Sequence, residues 1–287
     1  QEAVRAGADS LYRLANAPLD HAAARWDAVI HLPGIAARIP PLDLDTATAH
    51  LASATRRHLS ARGVEATVTT GRGSILPAAR VSRAPASGRV SIIIPTRDRA
   101  DLLERCLASI RPARERHGCE LLIVDNGSSD PVTRALLAAV RAEGGRVLAD
   151  PGPFNYARLC NRAVEAVTGD VVLFLNNDVE MGGDGWLPEM LGRLADPSVE
   201  AVGAVLRWPS GVVQHGGVVL GPGFSASHAF DDRFQDDPGY GDLLRVAHQP
   251  SAVTGACLLV RRASYRAVGG MDTVHFPVNF NDIDLCL

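Results

Sequence analysis

Four short polar clusters hold the residue types that could do chemistry in this chain. They are Pro95-Thr96-Arg97-Asp98, Asp125-Asn126-Gly127-Ser128-Ser129-Asp130, Asn176-Asn177-Asp178 and Phe280-Asn281-Asp282-Ile283-Asp284. In the second cluster, Asn126-Gly127 suits a turn with positive φ and Asp130 suits a helix cap. That leaves Asp125 without a structural duty. A carboxylate there can accept the imide N–H of a uracil or thymine ring, with Thr96 and backbone groups framing the base. In the third cluster, one carboxylate beside an amide carbonyl suits Mg²⁺ or Mn²⁺, which keep several waters and borrow oxygens from a substrate diphosphate. In the fourth, Asn281 reads as a helix cap with acids in the first turn. Helical positions i and i+2 diverge by about 200°, so only one of Asp282 and Asp284 can face a site. The inward carboxylate is a candidate general base.

Composition narrows the chemistry further. All 29 basic residues are Arg, because the 287-residue chain contains no Lys. A P-loop phosphate clamp, a Schiff-base mechanism and a kinase-type catalytic Lys are thereby excluded. Without Lys, a divalent metal is the natural counter-charge for a diphosphate. A net charge of −3 gives no basic field, so nucleic acid is not an expected partner. The five cysteines are odd in number and lack any C-x-x-C pair, which reads as small core residues in a reducing compartment. The longest aliphatic runs, such as Val171–Leu175, fall far short of the ~20 residues that span a membrane.

The elements that must position these clusters follow a regular pattern after residue 88. Val90–Ile94 is a β-branched run broken only by Ser91, the mark of a strand buried on both faces in a parallel sheet. A helix follows it, with Asp98 as cap and Leu102, Leu103, Cys106, Leu107 and Ile110 at helical spacing. Further strands are expected at Leu121–Val124, Val147-Leu148 and Val171–Leu175. Helices are expected from Pro131 to Gly144-Gly145 and from Tyr156 to Val167. Such alternation means βαβ units in a doubly wound sheet, where ligands bind beyond the carboxyl ends of the strands. Three of the four clusters sit at such ends. Beyond residue 200 the texture changes, with strand-like stretches at 199–206, 212–220 and 253–261 and little helix between them. Before residue 85 the chain is Ala/Arg-rich. A helix capped by Asp45 or Thr46 is expected to run to about Arg62, then a short strand over Val64–Val68, and Ala84–Gly88 reads as a linker.

Five stretches, taken in order, resemble the inverting glycosyltransferases of family 2: VSIIIPTRDR (90–99), LLIVDNGSSD (121–130), YARLCNRAVEAVTGDVVLFLNNDVE (156–180), VTGACLLVRR (253–262) and FNDIDLCL (280–287). Together they cover nearly everything from residue 88 onward. QHGGVVLG (214–221) and SHAF (227–230) resemble the bacterial subgroup that builds O-antigen and other surface polysaccharides. The resemblance implies a GT-A fold, a Rossmann-like doubly wound α/β mixed sheet. It implies an N-terminal helical or linker extension over 1–86 and a catalytic domain over 88–287 that is truncated at its C-terminus. It makes Pro95, Thr96, Arg97 and Asp125 contacts to the nucleoside and places Arg158, Asn161 and Asn177 near the nucleotide. Asp178 becomes the metal carboxylate, for Mn²⁺ or Mg²⁺, and Asp282 the catalytic base. Asn176 and Asn281 stand where the family's motifs carry acids. The implied partners are a UDP- or dTDP-sugar donor and a saccharide acceptor, with work in the cytoplasm, at the inner face of the membrane. A nucleotidyltransferase shares the sheet and the acidic site but needs a Gly-rich loop with Arg and Lys after the first strand. A non-catalytic nucleotide-sugar or carbohydrate-binding module is the third reading.

Overall fold

The computed structural model describes Tyr12 and residues 43–287, apart from Pro222, Phe224 and Gln235. The earlier part of the expected extension, Tyr12 aside, lies outside the described residues. The chain divides into two compact units: residues 1–84 with 236–248, and residues 85–235 with 249–287. The first boundary falls inside the expected linker. The return of 236–248 to the first unit has no counterpart in the sequence reading.

In the first unit, helix α1 (Leu44–Ala61) starts two to three residues earlier than its sequence signals suggest. Asp43, in extended conformation, accepts the Thr46 N–H at 2.7 Å, so Asp43 and not Asp45 or Thr46 is the cap. A hairpin of β1 (Thr67–Thr70) and β2 (Ala79–Ser82) follows, with Val68 as the one buried residue of β1. The connecting loop is held from far along the chain by the buried Asp242. Its Oδ1 accepts the Ser74 N–H and hydroxyl, and its Oδ2 accepts the Ile75 and Leu76 N–H groups, all within 3.0 Å.

The second unit is built on a sheet. Its elements are β3 (Val90–Thr96), α2 (Ala100–His117), β4 (Glu120–Asp125), α3 (Pro131–Ala142), β5 (Arg146–Ala149), α4 (Tyr156–Ala166), β6 (Val171–Leu175) and α5 (Trp186–Leu194). Short strands β7 (Ala201–Gly203), β8 (Leu206–Arg207), β9 (Val213–His215), β10 (Val218–Leu220) and β11 (Ala226–His228) come next. The chain ends with β12 (Cys257–Arg261), α6 (Arg262–Ala267) and α7 (Asn281–Cys286). The strand order is β5-β4-β3-β6-β12-β7. β5, β4, β3 and β6 run parallel, whereas β12 is antiparallel to both β6 and β7. The mixed α/β sheet expected from the sequence is therefore present.

Both faces of the sheet are covered, which is why β3 and β6 are buried at every position and β6 is apolar throughout. Val90, Ile92 and Ile94 pack on one face with Leu103, Cys106 and Ile110 of α2 and Leu137 of α3. Ile93 points to the other face, with Leu122, Phe174 and the Ala157, Leu159, Cys160 and Ala163 side of α4. The amino ends of the strands are laced by Glu120, which accepts the Ser91 hydroxyl, the Thr168 N–H and an Arg146 guanidinium. α5 was not legible from the sequence, where Pro188 and Gly192 interrupt its apolar run. In the structure Pro188 sits in the first turn, where its missing N–H has no helical partner to lose. All five cysteines are free. No described helix is long and apolar enough to cross a membrane.

Candidate active site

The order of strands decides where a ligand can sit. β3 leads outward to β4 and β5, and the chain then crosses to β6 on the opposite side of β3. The β3/β6 boundary is thus the topological switch point, where the carboxyl ends part and open a crevice. Pairing of β3 with β6 stops at Ile93, while pairing with β4 continues to Thr96. Pro95 lies in that unpaired stretch, where a strand residue without an N–H costs nothing. It is buried within β3, beneath the crevice.

Thr96 and Asn177 bridge the crevice. Asn177 Nδ2 donates to Thr96 Oγ1 at 2.9 Å, and Thr96 stands in register beside Asp125 of β4. Asp125 does have a turn to hold: its Oδ1 accepts the Ser128 N–H at 2.9 Å, which corrects the reading of an idle carboxylate. It makes no second hydrogen bond among the described residues, so one oxygen of the half-buried group stays available. Asp130 caps α3 as expected, accepting the Val132 and Thr133 N–H groups. Asp98 does not cap α2. Arg99 takes that position in the left-handed region, and Asp98 Oδ1 instead accepts the Ser129 and Asp130 N–H groups. Those backbone donors hold the Asp98 carboxyl below its ordinary range. The loops after β3 and β4 are thereby tied into one rim, with Arg97 exposed on it.

At the β5 end, Arg158 is committed to the protein. It pairs with the buried Asp150 carboxylate and donates to the Pro153 carbonyl at 3.2 Å. Asp150 in turn donates its N–H to the Asp125 carbonyl, so Arg158 stands next to the Asp125 corner. Asn161 is further away in function. Its Oδ1 accepts the Tyr265 hydroxyl and the Met271 N–H, and its Nδ2 donates to the Met271 carbonyl. Through these bonds Asn161 holds the turn after α6. Gly270 shows how close that packing is, since a Cβ there would stand 2.6 Å from Asn161 Oδ1, at a φ of +76°.

The antiparallel β12 brings the last cluster to the same edge. Its amino end pairs with Leu175, so residues 254–256 emerge beside Asn176-Asn177-Asp178. Four elements converge on this turn. Asp282 Oδ2 accepts the Gly255 N–H at 2.7 Å, and the Tyr156 hydroxyl donates to the Gly255 carbonyl at 3.0 Å. The Ala256 carbonyl accepts the Asn176 N–H at 2.9 Å, and the Thr254 N–H donates to His215 Nε2 at 3.3 Å. Burial pushes the Tyr156 phenol well above its ordinary range, so it remains a donor. Asp282 is half-buried against the turn and Asp284 is exposed, the divergence that helical geometry demands. Phe280 rather than Asn281 takes the cap position of α7, while buried Asn281 donates to the Val278 carbonyl.

Along the edge, in strand order, stand the Asp150–Arg158 pair, Asp125, Thr96, Asn177 and the Gly255 turn carrying Asp282. From Asp125 to that turn is three strand spacings of ~4.8 Å, roughly 14 Å. Residues 91–269 match the family described as Glycosyl transferase family 2. The chain belongs to that family. O-antigen biosynthesis protein RfbC of Myxococcus xanthus is 37% identical over 251 residues, 85% of this chain and 19% of that protein. The chain thus spans about a fifth of that relative's length. The fold is similar to that of GalNAc-T7, solved with UDP, GalNAc and Mn²⁺, at TM-score 0.55 and 13% identity over 69% of this chain and 39% of that one. It is also similar to the mannosyltransferase PcManGT of Pyrobaculum calidifontis, solved with GDP-Man and Mn²⁺, at TM-score 0.51 and 22% identity over 71% of this chain and 53% of that one.

Asn177 and Asp178 are the oxygen donors at this edge that could hold a divalent ion. Asp178 is exposed beside the crevice and makes no hydrogen bond or ion pair among the described residues. Asn177 has given its Nδ2 to Thr96, which leaves Oδ1 as a carbonyl donor. No cluster of three or more His, Cys, Asp or Glu exists among the described residues. This donor set fits a Mg²⁺ or Mn²⁺ ion whose remaining ligands are diphosphate oxygens and water. Tyr156 and His215 are the residues that sequence reasoning missed. They reach the Gly255 turn from 99 and 39 residues away, a convergence that no local spacing announces.

Proposed function

We propose that this unit transfers a glycosyl group from a UDP- or dTDP-sugar to a saccharide hydroxyl with inversion at the anomeric carbon. The observation that carries the reading is the Asp282 carboxylate on the Gly255 turn, at the same sheet edge as Asp125, Thr96 and Asn177. Asp125 offers its unengaged oxygen to the imide N–H of the base, and Thr96 with Asn177 lines the crevice below the ribose and diphosphate. Asp282 takes the proton of the acceptor hydroxyl. That oxygen forms a bond to the anomeric carbon from the face opposite the diphosphate, and the bond from that carbon to the diphosphate breaks with its electron pair. A divalent cation beside Asp178 would neutralise charge on the departing diphosphate.

The RfbC relative supports a role in bacterial surface polysaccharide synthesis, and with it a site of action at the cytoplasmic face of the inner membrane. The two structural neighbours carry different bases, so the pyrimidine preference rests on Asp125 alone. Calorimetry with UDP, dTDP and GDP in the presence of Mn²⁺ tests it. Tighter binding of the two pyrimidine nucleotides is expected, and equal or tighter binding of GDP would overturn the assignment.

A further inference from the structure

The motifs QHGG and SHAF have no part in the chemistry above, yet the fold brings their histidines together at the back of the Gly255 turn. The turn after β9 is joined to the end of β11 by two backbone bonds, Gly216 N–H to the Ala229 carbonyl and Ala229 N–H to the Gly217 carbonyl. β10 and β11 pair with Val218 opposite His228. The result is a contact between His215 Nδ1 and His228 Nδ1 at 3.0 Å, with the rings edge to face at 78°. His215 is 1% exposed, whereas His228 reaches the surface.

The hydrogen bonds fix the state of the buried ring. His215 Nε2 accepts the Thr254 N–H, so it carries a lone pair and no proton. A neutral ring with a bare Nε2 is protonated at Nδ1, which therefore donates to His228 Nδ1. The buried imidazole is an uncharged strut with one end fixed by His228 and the other on the backbone of Thr254. The next residue, Gly255, gives its N–H to Asp282 Oδ2. Thr254 Oγ1 also accepts the Ala256 N–H, so the turn moves as one piece.

We propose that His215 is a positioning residue for glycosyl transfer: it holds the Thr254–Gly255 turn on which the Asp282 carboxylate is aimed, and His228 holds His215. The inference rests on Asp282 being the base. It requires no contact of His215 with substrate, since its nitrogens are both occupied by protein.

Two amide substitutions separate the two ends of the strut. The side-chain oxygen of Gln reaches the place of Nε2, so His215→Gln keeps an acceptor for the Thr254 N–H. The Asn amide reaches only the place of Nδ1, so His215→Asn keeps the link to His228 and abandons Thr254. The substrate is whichever member of a UDP- and dTDP-sugar panel the wild-type chain turns over, and thermal melts accompany each variant. We expect His215→Asn to lower kcat roughly 10- to 100-fold, the scale of a small misplacement of a catalytic group, with donor KM unchanged. His215→Gln should retain most of kcat. His228→Ala should lower kcat less than His215→Asn, with His228→Asn restoring it through an acceptor at the Nδ1 place. In an Asp282→Asn background, His215→Asn should add no further loss.

Equal losses in the Gln and Asn variants, a change in donor KM in place of kcat, or a fully multiplicative loss in the Asp282→Asn background would overturn the proposal and leave the base assignment standing. Full turnover by Asp282→Asn would remove the base and the positioning role together.

Discussion

Replacing Asp282 by Asn isolates proton transfer from architecture. The carboxylate makes two bonds, from the Gly255 N–H at 2.7 Å and from its neighbour Ile283 N–H at 2.9 Å. Asn has one oxygen, which can keep the Gly255 bond. The helix end then loses a single bond at a half-buried site, worth about 1 kcal/mol of stability. Nucleotide affinity should be unchanged, because Asp125, Thr96 and Asn177 lie on other strands. What disappears is the carboxylate at the turn. Loss of general-base catalysis costs roughly 10²–10⁴-fold in rate, or about 3–5 kcal/mol of barrier. The assay is release of nucleoside diphosphate from the nucleotide sugar, with binding of UDP or dTDP measured in parallel by calorimetry. Asp284→Asn is the control, since that carboxylate is exposed and turned away. An inactive Asp284→Asn beside an active Asp282→Asn would show that the register of α7 has been misread. Full activity of both would put the base elsewhere.

Asp125→Ala should abolish most of the thermal shift given by UDP or dTDP; an equal shift in mutant and wild type would remove Asp125 from the site. Asp178→Asn should weaken the enhancement of diphosphate binding by Mn²⁺, and affinity unchanged by EDTA in the wild type would count against a metal there. In the first unit, burial alone would raise the Asp242 carboxyl, but donors from Leu76, Ser74 and Ile75 outweigh it and hold it at about 2. A depressed carboxyl contributes stability above its unfolded value of 3.8 that is lost as pH falls toward about 2. Asp242→Asn should therefore lower the neutral-pH melting temperature and flatten the acid limb in that window, and an unchanged acid limb would refute the assignment.

The parts of this fold legible in the sequence were those whose cause is local. Val90–Ile94 and Val171–Leu175 read as buried strands because both sheet faces are covered, so every position but Ser91, which bonds to Glu120, is apolar. Asp130-Pro131 announced α3 because the cap and first-turn proline act within four residues. The edge that carries Asp125 and Asp178 followed from parallel strands all ending on one side. What stayed hidden was long-range. β12 slots antiparallel between β6 and β7, which brings Gly255 to the same edge, where it binds Asp282 of α7. Asn161 looked available because its partner Met271 is 110 residues away. Asp98 looked like a cap because periodicity cannot show that its chain enters the left-handed region.

The account rests on direct displacement at the anomeric carbon by a hydroxyl that Asp282 activates, and water can serve as that hydroxyl when no acceptor is supplied. Proton NMR of the free sugar in the first moments of nucleotide-sugar turnover, before mutarotation, reads the configuration directly. The account predicts one nucleoside diphosphate released per sugar and an initial anomer opposite to that of the donor, with Asp282→Asn silent in both signals. An initial anomer matching the donor would contradict it, as would release of pyrophosphate or sugar phosphate in place of the nucleoside diphosphate.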